Sequence, residues 1–162
     1  MSEPNIIARA RADAREGKSP STQAGEFVRE EFPHIREGKH GARSAKQAIA
    51  IGLSKARRAG VKLSAPKNGS AKIRRQAQRD LKRGRHPELP VSRRRSRAVL
   101  GALKHDGQAA ATPQAISRQT HQAAIRRSPR ARSESAQRAV HTKGRAGLVV
   151  AAHKAARARK LA

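Results

Sequence analysis

The chain has 162 residues and carries 38 Lys and Arg residues against 11 Asp and Glu residues, which gives a formal net charge of +27. Leu, Ile, Val and Phe together total 25 residues, whereas Ala alone contributes 32. So few large apolar side chains beside so much charge exclude a single large packed core, because too little apolar burial is available to offset chain entropy. The chain has no cysteine, which excludes disulfides and thiolate zinc sites.

Charge divides the chain into two parts. Residues 1–37 hold seven acids and six bases, whereas residues 38–162 hold four acids and 32 bases. These bases have too few acids to neutralise them, so we expect a polyanion as the partner. With no Trp, no Tyr and two Phe, the chain lacks stacking platforms for single-stranded bases, which favours a duplex. The amino terminus has no apolar run typical of a secretory signal, and we expect a cytoplasmic protein.

Local signals predict short helices and no sheet. A weak apolar stripe in residues 6–14 predicts a first helix. A serine followed by a proline at 19–20 predicts the start of a second helix, which Pro33 is expected to kink or stop. The strongest pattern runs from a cap at Ser44 to Gly60, with apolar or small residues at helical spacing between them.

Beyond these helices the chain becomes poorer in large apolar groups. Further helices are predicted from Ser70, Ser92, Thr112 and Ser133, and a last one after Gly147, with linkers rich in Pro, Gly and Ser between them. We therefore expect a mainly α protein in three parts. These are an N-terminal helical or disordered segment (1–17), a small helical hairpin (18–62), and an extended, partly disordered Ala- and Arg-rich helical tail (63–162).

The hairpin is expected to bury the apolar stripe of the third helix. Gly52 lies in that stripe, and because glycine costs about 1 kcal/mol relative to Ala inside a helix, its presence indicates a close approach of two backbones. If the face from Ala45 to Ala56 stays uncovered, it favours a homodimer. Four apolar residues of the second helix are expected to pack on it: Phe27, Val28, Phe32 and Ile35.

The loop at 38–43, which leads into the third helix, has two interpretations. A helix start presents unpaired N–H groups, and Lys39, Arg43 and Lys46 surround this one, so that a phosphate can bind there. Alternatively, the loop only joins two helices. In a helix-turn-helix arrangement Gln47 would read a base edge, although this loop is longer than the turn of that motif.

Basic side chains are the candidate nucleic-acid-binding residues, because a contact to the phosphate backbone needs only charge and reach. On the third helix Lys46, Arg57 and Arg58 are expected on the solvent side, opposite the apolar stripe. The full set is Lys39, Arg43, Lys46, Lys55, Arg57, Arg58, Arg74, Arg75, Arg93, Arg94, Arg95, Arg97, Arg126, Arg127, Arg157 and Arg159.

No motif indicates catalysis. The seven histidines include no pair at i, i+3 or i+4, and none has a carboxylate at a spacing typical of a metal triad. Glu26, Glu30 and Glu31 are expected on a helix surface, paired with nearby Lys and Arg. We therefore expect no enzymatic activity, no metal, no cofactor and no small-molecule substrate.

Three motifs carry a resemblance to a known family. They are EFVREE, GKHGARS and KQAIAIGLSKARRAG, within residues 18–66. In them the chain resembles an uncharacterised bacterial family of small basic proteins, a domain of unknown function. The resemblance implies a prokaryotic, cytoplasmic setting and an expectation of DNA binding, without an established mechanism.

The favoured function is binding of duplex DNA without sequence specificity, as a nucleoid-associated protein that neutralises phosphate charge. One alternative is a structured-RNA or ribosome-associated protein, since the same phosphate contacts serve both nucleic acids. A second is an interaction protein that recruits a partner through its acidic N-terminal segment. Binding to anionic membranes ranks last, because no aromatic residue anchors the apolar faces, and we expect no membrane partner.

Overall fold

The computed structural model describes residues 3–88 and 90–160, with the side chains of all of these except 3, 4, 142, 143 and 158–160. Most of the described residues are helical and none is in a strand, so the prediction of a mainly α fold without a sheet is confirmed. The chain divides into a first unit, residues 1–119, and a second unit, residues 120–162. The helices are α1 (Glu3–Arg15), α2 (Pro20–Arg36), α3 (Ala45–Arg58), α4 (Ala71–Arg85), α5 (Arg93–Lys104), a 3-10 turn (Ala109–Ala111), α6 (Pro113–Ile125) and α7 (Pro129–Lys160).

The helix starts follow the predicted caps. Ser44 accepts a hydrogen bond from the backbone N–H of Gln47 at 3.2 Å, and Ser70 and Ser92 accept equivalent bonds at 3.3 Å. Each bond satisfies one of the N–H groups that a helix start leaves unpaired. These caps explain why the local sequence sets the helix boundaries so closely.

Pro33 does not stop α2, which continues to Arg36. A proline inside a helix removes one backbone hydrogen bond and costs about 3 kcal/mol. The turn that follows it places His34 and Ile35 in the interior, and Ile35 is fully buried. Burial of that last turn offsets the cost of the proline.

The core of the first unit lies in two clusters between α2 and its neighbours. In one cluster Phe27 of α2 packs with Ala56 of α3 and with Ile6 of α1. In the other, Ile35 packs with Ala48 and with the 3-10 turn, and Phe32 covers it. The predicted packing of the second helix on the third is therefore confirmed. In addition, α1 packs on α2 rather than forming a separate segment.

Two glycines set the spacing of the helices in the first unit. A Cβ on Gly52 would lie 2.7 Å from Cα of Val28, which confirms the predicted close approach of α2 and α3. A Cβ on Gly84 would collide with the carbonyl oxygen of Arg57, so α4 approaches α3 equally closely. The small residues Ala45, Ala48 and Ala56 are buried within the chain. Their burial removes the uncovered face on which the homodimer prediction depended.

The second unit contains the end of α6 and the whole of α7. α7 begins at Pro129, where Ser128 accepts a hydrogen bond from the backbone N–H of Ala131 at 3.2 Å. The predicted start at Ser133 was therefore one turn late. Gly144 breaks the helix with φ 64° and ψ 173°. No described side chain of this unit is buried.

None of the described helices combines the length and the apolar character that crossing a membrane requires.

Candidate nucleic-acid interface

The acidic side chains that the structure describes pair with basic side chains of the same chain. Every carboxylate that the structure describes lies within 3.8 Å of a basic side chain. The Lys and Arg residues in these pairs are eight of the 38 in the sequence. Among the side chains that the structure describes, most Lys and Arg residues therefore lie outside these pairs. The eight are Arg9, Lys18, Arg29, Lys39, Arg43, Lys55, Arg58 and Arg130.

Helix α4 separates its charges onto opposite faces. Its one acid, Asp80, is buried toward α3, where it accepts hydrogen bonds from Ser54 Oγ at 2.7 Å and from Gln76 Nε2 at 3.1 Å. Ala77 is buried on the same side. The basic side chains lie at helical spacing on the opposite, exposed face. That face carries Lys72, Arg75, Arg79 and Lys82, a row of about 15 Å at 1.5 Å per residue.

Helix α5 exposes four arginines in its first two turns. Arg93, Arg94, Arg95 and Arg97 are all exposed. They lie at the end of the helix where the backbone dipole is positive, so their charges are unfavourable for the isolated helix. An anion next to this segment would relieve that repulsion. The placement agrees with the sequence prediction that these residues are available to phosphates.

The remaining predicted residues of α4 and of the second unit are also at the surface. Arg74 is exposed and donates a hydrogen bond to the carbonyl oxygen of Gly69. Arg126, Arg127 and Arg157 are exposed in the second unit. The side chain of Arg159, also predicted to bind, lies outside the described part of the chain.

Groups of the protein itself occupy the position next to the loop before α3 where a phosphate was predicted to bind. The N–H groups of Gly41 and Ala42 donate to the carbonyl oxygens of Leu103 and Gly107 at 2.8 and 3.0 Å. Asp106 lies at the helix start, and its carboxylate accepts hydrogen bonds from Arg43 Nε and Gln47 Nε2, both at 3.2 Å. An internal carboxylate thus occupies the place proposed for a phosphate. The structure favours the interpretation of this segment as a connecting loop.

Both polar atoms of the Gln47 side chain are hydrogen-bonded within the protein. Its Nε2 donates to Asp106, and its Oε1 accepts from the backbone N–H of Arg43 at 3.1 Å. Lys39, also predicted as a phosphate ligand, pairs with Glu37 at 2.9 Å while remaining exposed. These contacts leave charge near the loop but no preformed site for base recognition.

On α3 the predicted solvent face is partly covered, because α4 packs against it. Lys46 is exposed as predicted. Arg57 is 8% exposed and donates hydrogen bonds to the carbonyl oxygens of Leu63 and Ser64 at 3.0 and 3.2 Å. The prediction that Arg57 faces solvent is wrong: its guanidinium holds the turn after α3. Burial lowers the pKa of Arg57 from its ordinary value.

Arg58 and Lys55 have internal partners. Arg58 is half exposed, and its Nε lies 3.8 Å from Asp80. Lys55 Nζ lies 3.0 Å from Glu31 Oε2, and the Glu31 side chain is 1% exposed. Lys55 and Arg58 are therefore weaker candidates for phosphate contact than the exposed bases of α4 and α5.

The structure brings together a cluster of buried polar side chains that was not predicted from the sequence. We call it the Glu31 cluster; it comprises Glu31 and His34 of α2, His40 of the loop and Lys55 of α3. Glu31 Oε1 lies 2.6 Å from His40 Nε2, and one ligand atom of Glu31, His34 and His40 each lies within 4.8 Å of the others. No metal-triad spacing of histidine and carboxylate was expected from the sequence; the fold brings these three side chains together.

The predicted surface position of the α2 carboxylates is also wrong. Glu31 is fully buried and Glu26 is 9% exposed, with Arg9 Nε of α1 2.8 Å from Glu26 Oε2. Burial, with Lys39 and Lys55 nearby, lowers the pKa of His34 from its ordinary value. A signal was present in the sequence, since Phe27, Glu31 and His34 share one face at i, i+4 and i+7.

One segment of the chain is similar to a known protein family. Residues 26–68 match a family of unknown function, DUF6496. The matched segment contains most of α2, the loop, α3 and the whole Glu31 cluster. The prediction of an uncharacterised family is confirmed for that segment. No curated protein and no solved structure matched the chain.

Proposed function

We propose that this protein binds duplex DNA through its phosphate backbone, without reading base sequence, in a nucleoid-associated role in a bacterial cytoplasm. One observation carries the proposal: the described carboxylates pair with basic side chains of the same chain, while clusters of arginines remain exposed. A protein that keeps most of its bases unpaired at the surface gains free energy by releasing the counterions of a polyanion. Few aromatic residues are available for stacking on single strands.

Two surfaces of the first unit support this function: the outer face of α4 and the first two turns of α5. Both present several exposed Lys and Arg side chains close together in the sequence, which suits contacts to successive phosphates. Gln47, the residue that a helix-turn-helix arrangement would place on a base edge, is instead bonded to Asp106. Charge neutralisation without base readout is the mechanism that fits these features.

Structured RNA presents the same phosphate chemistry and is the alternative to be tested. Competition between a random DNA duplex and ribosomal RNA at fixed salt separates the two, and preference for DNA is the expected result. The second alternative, recruitment of a partner through the acidic segment, finds less support. Glu26 and Glu31 of that segment are turned into the protein and paired there.

The arginines of α5 provide the first test. Replacing Arg93, Arg94, Arg95 and Arg97 together with Gln is expected to weaken binding at least about tenfold at moderate salt and to reduce the salt slope by up to about four. The reason is the loss of up to four phosphate contacts. Fluorescence anisotropy with two unrelated duplexes of equal length measures both quantities.

The matched control replaces the same four residues with Lys, which keeps the charge. It is expected to bind within a few-fold of the wild type on both duplexes. The α5 arginines are all exposed, so circular dichroism of the Gln variant should match the wild type. A loss confined to one of the two sequences, or no loss on either, would contradict backbone binding.

A further inference from the structure

We propose that Glu31, His34 and His40 form a binding site for a divalent transition-metal ion of the zinc class. The site lies in the interior of the first unit and uses none of the exposed arginines of α5, and it does not depend on the proposed DNA binding. Imidazole nitrogens with one carboxylate are a ligand set that suits zinc, with water or another side chain in the fourth position.

The three ligand side chains are brought together by two neighbouring elements. Glu31 and His34 lie one turn apart on the buried face of α2. His40 comes from the loop that follows. The backbone N–H groups of Gly41 and Ala42 in this loop donate hydrogen bonds to the carbonyl oxygens of residues 103 and 107, which hold the loop in place. All three residues are more than nine-tenths buried. Their positions are therefore set by the fold.

The spacing of the ligand atoms fits a small ion after minor side-chain rotation. Around a tetrahedral zinc with ligand distances of about 2.0–2.2 Å, ligand atoms lie about 3.3 Å from one another. Here Glu31 Oε1 and His40 Nε2 are 2.6 Å apart, and the whole set falls within 4.8 Å. The required separation lies between these two values.

Two atoms aimed at the site lack any other partner. Neither Glu31 Oε1 nor His40 Nε2 forms a hydrogen bond, although the two atoms lie 2.6 Å apart. Leaving buried polar atoms unsatisfied costs free energy that a native structure normally avoids. A metal ion between the carboxylate oxygen and the imidazole nitrogen would satisfy both atoms at once.

The outer contacts of the ligands are those of a metal site. His40 Nδ1 lies 3.1 Å from the carbonyl oxygen of Gly41, and donation to it leaves the lone pair on Nε2, facing Glu31. On the far side of the carboxylate, Lys55 Nζ holds Glu31 Oε2 at 3.0 Å. Both ligands are thus oriented by contacts outside the site.

Glu30 supplies further negative charge at the edge of the site. Its Oε1 lies 3.5 Å from His34 Nε2, so the carboxylate either orients that ring or enters the fourth position. The other oxygen of this carboxylate, Oε2, lies 3.7 Å from Arg9 Nη2. The chemistry of the donors favours zinc over magnesium, which prefers all-oxygen ligands.

The experiment uses the full chain, stripped of metal and of nucleic acid, because phosphates also bind metal ions. Titration with Zn²⁺ by calorimetry is expected to show one tight site per chain, and Mg²⁺ should not compete for it. Co²⁺ in place of Zn²⁺ should give the intense visible absorption of a tetrahedral site. In His34→Gln and in His40→Gln, the affinity for Zn²⁺ should fall at least about tenfold.

His86→Gln is the matched control. His86 Nδ1 also lies beside a carboxylate, 3.1 Å from Glu88 Oε1, but both side chains are exposed. Its replacement should leave zinc affinity unchanged. If either ligand variant fails to fold, the wild type is titrated with Zn²⁺ and followed by NMR of the histidine ring nitrogens. The resonances of His34 and His40 should then shift, and those of His86 should not.

Three results would overturn the proposal. They are no stoichiometric zinc binding, zinc binding that survives both ligand substitutions in folded protein, and ring shifts confined to exposed histidines. The first would show that Glu31 and His40 pair without a metal ion between them.

Discussion

Glu31→Gln is expected to lower the free energy of unfolding by about 3 kcal/mol, measured by urea denaturation of the metal-free protein. The carboxylate is 1% exposed and lies 3.0 Å from Lys55 Nζ and 2.6 Å from His40 Nε2. Removing its charge leaves a partly buried ammonium group without a counter-ion, which is the costly way to break a buried pair. The amide keeps the shape of the side chain, so the loss reports charge rather than a cavity.

Glu16→Gln is the control for this variant. Glu16 also pairs with a lysine, Lys18 at 2.8 Å, but its side chain is 61% exposed. Exposed pairs contribute well under about 1 kcal/mol, and we expect this change to stay within about 0.5 kcal/mol. The double variant E31L/K55M should recover part of the loss, because it removes both members of the buried pair. A Glu31→Gln protein as stable as the wild type would contradict the buried-pair account.

Gly52→Ala is expected to destabilise the first unit by about 2 kcal/mol. The new Cβ would lie 2.7 Å from Cα of Val28 and 3.0 Å from its backbone N, and these backbone atoms cannot move without separating α2 from α3. Overpacking of this kind costs about 1–3 kcal/mol. That cost exceeds the gain of up to about 1 kcal/mol from the higher helix propensity of alanine.

Gly25→Ala should have the opposite sign. Gly25 lies within α2, and a Cβ placed there meets nothing within 4 Å. The substitution therefore gains helix propensity without a clash and should stabilise the protein by about 0.5–1 kcal/mol. Thermal unfolding of the two variants beside the wild type measures both effects. Two shifts of the same sign would show that α2 and α3 are not packed through Gly52.

Local signals were sufficient to predict much of the fold. Serine caps and the glycine at 60 mark helix ends because they satisfy or release backbone groups within a few residues of themselves. The contact of α2 with α3 also followed from the sequence, since helical spacing places Phe27 and Ile35 on one face. Gly52 indicated the close approach because glycine is unfavourable in a helix without such a reason.

The candidate site was predictable only where it depends on exposed charge. The arginines at 93–97 are accessible because no other element of the first unit buries them. Arg57 was assigned wrongly, since its partners come from the turn after α3. The partner of Gln47 is Asp106, 59 residues away. Neither partner is visible in the periodicity of one helix.

The Glu31 cluster was missed for a related reason. Its members come from α2, a loop and α3, and the interval of six residues between His34 and His40 follows no helical spacing. The helical face shared by Phe27, Glu31 and His34 was the available signal. Charged residues are rarely buried unless paired, so the assumption of an exposed Glu31 prevailed over that pattern.

The salt dependence of DNA binding tests the central claim most directly. Affinity of the full chain, freed of nucleic acid, for a random duplex should be measured over a range of salt concentrations, and log K plotted against log[salt]. If about eight phosphates are neutralised together, the slope should be near −7. A slope shallower than about −2 would contradict charge neutralisation as the basis of binding.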